Sequence, residues 1–307
     1  MGTISSEKYI RTLKSLANRR IAAVTLLGFA SGLPLALTGG TLQAWMAVEG
    51  VDLKTIGFFS LVGLPYAFKF FWAPLLDRYA LPFLGRRRGW ILCTQFVLIG
   101  LIILLGLTSP KDTPLLVALL ALFLTFTSAS QDIVIDAYRT DILREKERGL
   151  GAAVSVTGYR IAMLVSGALA LILAGPLGWR VTYLLMAGVM LVGTVATIFG
   201  PEPEEMVRPP QSLKEAISGP LTEFFERPAA WAFLALIILY KIGDAFAGSL
   251  TTAFLIRGPG FSIGEVGAIN KGLGLIATIL GALYGGVMLA RMDLHRSLMI
   301  FGILQAI

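Results

Sequence analysis

Apolar runs long enough to cross a hydrocarbon core of roughly 30 Å, about twenty residues each, recur along the whole chain. One of them contains PLLVALLALFLTFT (114–127), without a single charge. Of the 307 residues, 56% are hydrophobic and only 15% charged, too little polar surface for a soluble domain of this size. The sequence therefore predicts an all-α polytopic membrane protein, with spans at 20–47, 54–74, 90–108, 114–138, 149–174, 179–199, 229–256 and 264–289. A ninth starts near Ser297 and has eleven residues, about 16 Å of helix, so the expectation is about eight complete spans plus part of a ninth, a chain truncated in its second bundle.

Lysines and arginines order these spans. One set of connections carries 18 of them: Lys8, Arg11, Lys14, Arg19 and Arg20 before span one, then Arg78, Arg86, Arg87 and Arg88, then Arg139, Arg144, Lys146 and Arg148, then Arg208, Lys214 and Arg227, then Arg291 and Arg296. The opposite set carries 4, Lys54, Lys111, Arg180 and Arg257. The positive-inside rule then places the N-terminus in the cytoplasm. The net charge of +7 thus reports topology, and no nucleic-acid partner is expected. One cysteine (Cys93) and one histidine (His295) leave no internal disulfide, no metal cluster and no cofactor site. No nucleophile–base set is visible either, so an enzyme is not expected.

Residues 201–228 are Pro-rich and charged, a cytoplasmic linker in which Ser212 and Glu215 form a capping box opening a short amphipathic helix. The expected domains are a six-helix bundle at 1–200, this linker, and the start of a second bundle at 229–307. A short repeat supports two bundles: GVDLKTIG (50–57) matches GFSIGEVG (260–267), with Asp52 and Ser262 as helix caps and Thr41 and Thr251 also in register. The pairs Gly28/Gly32 and Gly281/Gly285 are small-residue packing motifs.

Seven charges remain inside spans: Lys69, Asp132, Asp136, Arg160, Lys241, Asp244 and Lys271. Each costs about 2.5–3.5 kcal/mol at a bilayer centre, so they belong to a bundle interior or a watery cavity. Asp132 and Asp136 leave the same helix face, and two carboxylates so close in poor solvent do not both stay ionised cheaply. A carboxylate that takes up and releases a proton is the minimum part of a proton-coupled transporter; the alternative for Asp136 is an ion pair with Arg139 at the helix end. Lys241 and Asp244 form either a self-neutralising pair or a binding site. Arg160 is a ligand contact or a partner of Asp132, and Lys69 and Lys271 are anion contacts, unless Lys69 snorkels to the surface. Gln43, Tyr66 and Tyr159 either contact cargo or pack.

The loop WAPLLDRYALPFLGRRRGW (72–90) resembles the charged loop between the second and third spans of the major facilitator superfamily, with Asp77, Arg78, Gly85, Arg86 and Arg87 in its polar positions. The leading glycine of that motif is absent and extra residues separate Arg78 from Gly85. The resemblance implies a two-bundle transporter fold in which this loop gates. GFASGLPLALTGGTLQAWM, LKTIGFFSLVG, SASQDIVIDAYRTD and YKIGDAFAGSLTTAFLIRG are similar, in order, to segments of the muropeptide permeases within that superfamily. That likeness implies proton-coupled import of anhydromuropeptides (GlcNAc-1,6-anhydroMurNAc and its peptides) across a bacterial inner membrane. It also implies a role in peptidoglycan recycling and a link to β-lactam resistance. The partners are then cargo, protons and membrane lipid. Two alternatives stand beside it: a related transporter of another anionic or acylated solute, such as a coenzyme A ester, and a membrane sensor that moves nothing. The missing second-bundle spans lead to the expectation that the chain alone does not transport.

Overall fold

The computed structural model describes residues 18–203, 212–239, 241–242, 274–289 and 292–306, and these hold helices and turns but no strand. Two units are distinguished, Met1–Pro209 and Pro210–Ile307. Among the described residues of the first, four helical runs are long and apolar enough to cross a membrane: Arg19–Val48, Arg86–Leu107, Pro114–Ile142 and Glu145–Phe199.

Span one is two helices, α1 (Arg19–Thr38) and α2 (Gly40–Val48), joined at Gly39. Asn18 caps α1 by accepting from the Arg20 amide at 3.1 Å. Pro34 lies inside α1 and removes one ladder donor, and the Thr38 hydroxyl donates back to the Pro34 carbonyl at 3.0 Å, which keeps polar groups paired away from water.

Span two is not the single helix expected at 54–74. It is a chain of short pieces, α3 (Leu53–Phe58), α4 (Leu64–Phe68) and α5 (Ala73–Arg78), linked by 3-10 turns at Phe59–Gly63 and Lys69–Phe71. Pro65 and Pro74 each sit in the first turn of a new piece, where a missing amide costs nothing but an unbroken helix cannot continue through them. Asp52 starts the chain as the capping residue the sequence indicates, accepting from the Thr55 hydroxyl at 2.6 Å and its amide at 2.9 Å. Those two bonds hold the Asp52 carboxyl below the usual carboxylate range.

Spans three and four are α6 (Arg86–Leu107) and α7 (Pro114–Ile142). Spans five and six run together as α8 (Arg148–Leu164), a π-turn at Val165–Leu169, and α9 (Ala170–Phe199). A straight helix over the 55 residues from Glu145 to Phe199 would be about 80 Å long, more than twice a hydrocarbon core. The break is Gly178, whose φ of 77° only glycine adopts without strain. Contacts along span one show that the chain reverses there. Glu147 and Phe199 both lie at its Arg19 end, where Arg20 is 3.5 Å from Glu147 and Arg19 donates to the Phe199 carbonyl at 2.8 Å. Ser166 and Tyr183 both lie at its other end, bonded to Thr41 and to the Leu37 carbonyl at 2.7 and 2.9 Å.

Span one is thus central and packs on spans four, five and six, while spans three and six pack on each other and span two leans on span four. The crossing of spans one and five is the tightest. A Cβ added at Gly28 would lie 2.5 Å from the Ser155 carbonyl oxygen, and one added at Gly158 would lie 3.0 Å from the Phe29 amide. This is backbone against backbone, the contact that small residues permit inside a membrane. Beyond the crossing, Leu33, Leu37, Leu42, Met46, Ile102, Leu105 and Met190 fill an apolar core closed by Trp45, which stacks on Trp179 at 5.6 Å and meets Tyr183 at 5.1 Å. Outward faces carry exposed Phe96, Leu115, Phe123, Ile172 and Phe199, the polarity expected where the solvent is lipid.

The second unit contains α10 (Leu213–Glu226), capped where the Ser212 hydroxyl accepts from the Glu215 amide at 3.0 Å, then α11 (Ala230–Leu239), α12 (Gly274–Leu289) and α13 (Leu294–Ala306). The repeat partner at 260–267 and the residues Asp244, Thr251, Ser262 and Lys271 lie outside the described residues.

Replacing Gly158 by leucine should push spans one and five apart at a cost of about 1–3 kcal/mol. Thermal unfolding in detergent should show a clear loss of stability, whereas leucine at Gly100, which faces open space, should leave the midpoint unchanged.

Candidate functional site

Asp132 follows the stretch Ser128, Ala129, Ser130, Gln131, three small residues and a glutamine that are all buried. Span four packs on span one, and the Ser31 hydroxyl donates to Asp132 Oδ1. Asp132 Oδ2 faces Lys69 of span two, with Nζ at 3.8 Å. That distance is an ion pair without a direct hydrogen bond, which needs about 2.7–2.9 Å. The Asp132 side chain is 11% exposed and the Lys69 side chain 35%, so the acid is the more enclosed of the two.

Two tyrosines complete the group. The Tyr159 hydroxyl on α8 lies within electrostatic reach of Asp132, Arg160 and Asp136. The Tyr66 hydroxyl, on α4, is buried near Asp132 and Ser128, and neither it nor the Ser128 hydroxyl meets a partner with hydrogen-bond geometry. The Gln131 amide is buried beside them in sequence with neither its oxygen nor its nitrogen bonded. Counting about 1.5 Å per residue from the arginine-rich end, Ser31, Asp132 and Tyr159 lie about 18, 15 and 17 Å deep. Four spans deliver polar side chains to one layer.

Asp136 belongs elsewhere. It is 55% exposed and pairs with Arg139 at 3.1 Å, and Arg139 also donates to Ser155 at 3.3 Å. One further turn toward the helix end separates an enclosed acid from a solvated one. Arg160 is half-buried on α8 next to Tyr159. Gln43 is half-buried on α2, about 18 Å along span one from Ser31, and so does not join this layer. Lys241 is exposed in the second unit, and Lys271 and Asp244 are outside the described residues.

A second network ties the helix ends beneath this layer. Arg87 binds Asp77 at 2.5 Å and Asp141 of α7 at 3.2 Å. Arg86 donates to the Asp77 carbonyl at 2.8 Å, Arg78 stands 5.5 Å over the ring of Tyr79, and Gly85 caps α6. The loop from span two is thereby bolted to spans three and four.

The sequence reading passed over Arg88. It is 8% exposed and donates to the carbonyls of Thr197 and Ile198 at 2.8 and 2.7 Å and to the carboxylate of Glu202. Its guanidinium thus binds the unpaired carbonyls at the C-terminus of α9, where the helix dipole also favours a cation. Tyr138 adds a bond to the Pro201 carbonyl at 2.6 Å. The signal was in the run Arg86-Arg87-Arg88: successive helical positions point about 100° apart, so three arginines at a helix start cannot share one partner. Ser31 was missed as well, because a serine between Ala30 and Gly32 reads as a packing residue.

These features can be set against known proteins. A model of the Major Facilitator Superfamily matches residues 24–307. The chain is 57% identical over 301 residues to the anhydromuropeptide permease of Escherichia coli (strain K12), covering 98% of this chain and 61% of that protein. It is 40% identical to an uncharacterized protein of Haemophilus influenzae, over 94% of this chain and 69% of the relative. With a putative transporter of Rickettsia felis named AmpG 4 it shares 33% identity, over 96% and 73%. The chain belongs to the Major Facilitator Superfamily. It spans about three fifths of the length of the Escherichia coli permease.

Removing the Arg88 guanidinium strips two carbonyls of charged donors, each worth about 1.5–3 kcal/mol. Arg88→Ala should therefore lower the thermal unfolding midpoint sharply. Arg88→Lys should recover less than half of the loss, because a point cation cannot span three acceptors.

Proposed function

We propose that this protein imports anhydromuropeptides, GlcNAc-1,6-anhydroMurNAc and its peptides, across a bacterial inner membrane in symport with protons. The observation that carries the reading is the enclosed carboxylate of Asp132 between Ser31 and Lys69 in an otherwise apolar bundle. The printed name of the Escherichia coli relative supports the cargo. The excess of arginine and lysine at one set of loops supports a cytoplasmic N-terminus and makes the arginine network a cytoplasmic feature.

In this reading Asp132 carries the proton. Ionised, it holds Lys69; protonated, it releases the ammonium, which then binds a carboxylate of the incoming peptide. Lys69 thus has two alternative anionic partners, and proton binding and cargo binding favour each other. Tyr66, Tyr159 and Arg160 provide hydrogen bonds and charge for the sugar and peptide groups. Asp136, solvated and neutralised by Arg139, tunes the field around the site and does not carry the proton itself. Lys241, Lys271, Asp244 and Gln43 are assigned to further cargo contacts. Residues 1–200 act as one bundle, 201–228 as its linker and 229–307 as the opening of the other. Asp77, Arg78, Gly85, Arg86 and Arg87 form the gate whose ion pairs open and close at the cytoplasmic side.

Right-side-out vesicles carrying a two-bundle transporter that contains this chain, given labelled anhydromuropeptide and an outside-acid gradient, test this directly. Each pH unit is worth about 1.4 kcal/mol, or roughly tenfold accumulation per coupled proton. The unaltered protein should accumulate cargo in proportion to the gradient. Asp132→Asn should lose that accumulation while still binding cargo, and Lys69→Ala should weaken binding. Accumulation that ignores the gradient would remove the proton role, and absence of uptake by the unaltered protein would remove the cargo.

A further inference from the structure

A cavity of about 650 Å³ opens among spans two, three and four, near the arginine-rich end and separate from the Asp132 group. Its walls include Trp72, Tyr79, Trp90, Cys93, Val97 and Phe126, and no charged side chain lines it. The indole N–H of Trp72 donates to Ser130 at 2.9 Å and that of Trp90 to the Tyr79 carbonyl at 2.6 Å. Both polar atoms are therefore spent on the protein, the lining hydroxyls of Thr94, Thr127 and Ser130 donate to carbonyls of their own helices, and the rings offer carbon faces to the void. A cavity of this lining holds water poorly, since an ordered water needs two to four polar partners. It suits a sugar no better.

Its mouth has the opposite chemistry. Tyr79, Val97 and Phe126 are exposed, so the cavity communicates with the lipid-facing surface of the bundle. Arg78 stands over the outer ring, Tyr79, at 5.5 Å, placing a guanidinium at the rim. Tryptophan and tyrosine at this depth match the belt that membrane proteins set at headgroup level. An apolar slot of 650 Å³ lies within the range of small-molecule sites, and a cation at its interfacial edge completes the complement of a chain with an anionic head.

We infer that this crevice is a binding site for an anionic phospholipid, with an acyl chain lying against Trp72, Trp90 and Phe126 and the phosphate at Arg78. The site stands whether or not the cargo assignment holds, although Arg78 also belongs to the proposed gate, and it holds spans two, three and four in register through lipid.

Cys93, the only cysteine in the chain, lines the cavity and reports on it without any substitution. Delipidated protein should react readily with a fluorescent maleimide. Phosphatidylglycerol should slow that reaction about fivefold more than phosphatidylcholine, the increment expected of one interfacial arginine, and inorganic phosphate alone should not slow it. Arg78→Gln should abolish the difference between the two lipids. Native mass spectrometry of the unaltered protein should show retained phosphatidylglycerol, and Val97→Trp, which fills the slot from an exposed position, should release it. Equal labelling with and without lipid, or equal protection by the two lipids, overturns the assignment, and both are read on the unaltered protein even if a variant fails to fold.

Discussion

The architecture depends on how closely spans one and five approach. Gly28 and Gly32 face the backbones of Ser155 and Tyr159, and Gly158 faces Thr25 and Phe29, so no side chain separates the two helices. Inside lipid there is little hydrophobic force to hold helices together, and close backbone packing takes its place. The consequence is local and chemical. Ser31 lies one residue from Gly32, and Tyr159 lies one residue from Gly158, so the same crossing that joins the helices brings a hydroxyl from each toward Asp132.

The bundle has two ends of different character. One end is closed by Trp45, Trp179 and Tyr183 over an aliphatic core, with Tyr183 bonded to the Leu37 carbonyl. Such contacts are numerous, undirected and indifferent to charge. The other end is held by Arg19, Arg86, Arg87 and Arg88 on carbonyls and carboxylates. Those contacts are few and directional, and competing ions or a neighbouring charge can exchange them. The Asp132 group lies between the two regimes. Arg88 is the exception at the polar end: buried and bonded to the last carbonyls of α9, it serves as a fixed anchor rather than an exchangeable one.

Much of this was readable in advance, for identifiable reasons. A carboxylate in an apolar run is costly wherever it sits, so Asp132 declared itself without any knowledge of its neighbours. Capping is local, so Asp52 was recognisable from three residues. The gap between 174 and 179 was legible as a boundary between two apolar runs, although the sharp reversal at Gly178 inside a continuous helical stretch was not. The limits were equally physical. Spacing put Asp132 and Asp136 on one helix face, yet one lies enclosed and the other 55% exposed, because burial depends on which helices pack opposite each turn. Span two carried the hydropathy of a membrane helix, and hydropathy is blind to the interruptions that Pro65 and Pro74 impose.

By itself the sequence determined the class: helical spans of bilayer length, loops sorted by charge, and a handful of ionisable groups that the membrane would not tolerate on a lipid-facing wall. These follow from transfer free energies that each residue carries wherever it is placed. Only the tertiary structure decided which of those groups meet. Ser31, Lys69 and Asp132 come from three spans, separated by dozens of residues, and Arg88 finds its carbonyls 109 and 110 positions away. Such pairings depend on the angle and distance at which helices cross, quantities set by packing among all of them at once, and no local pattern encodes them.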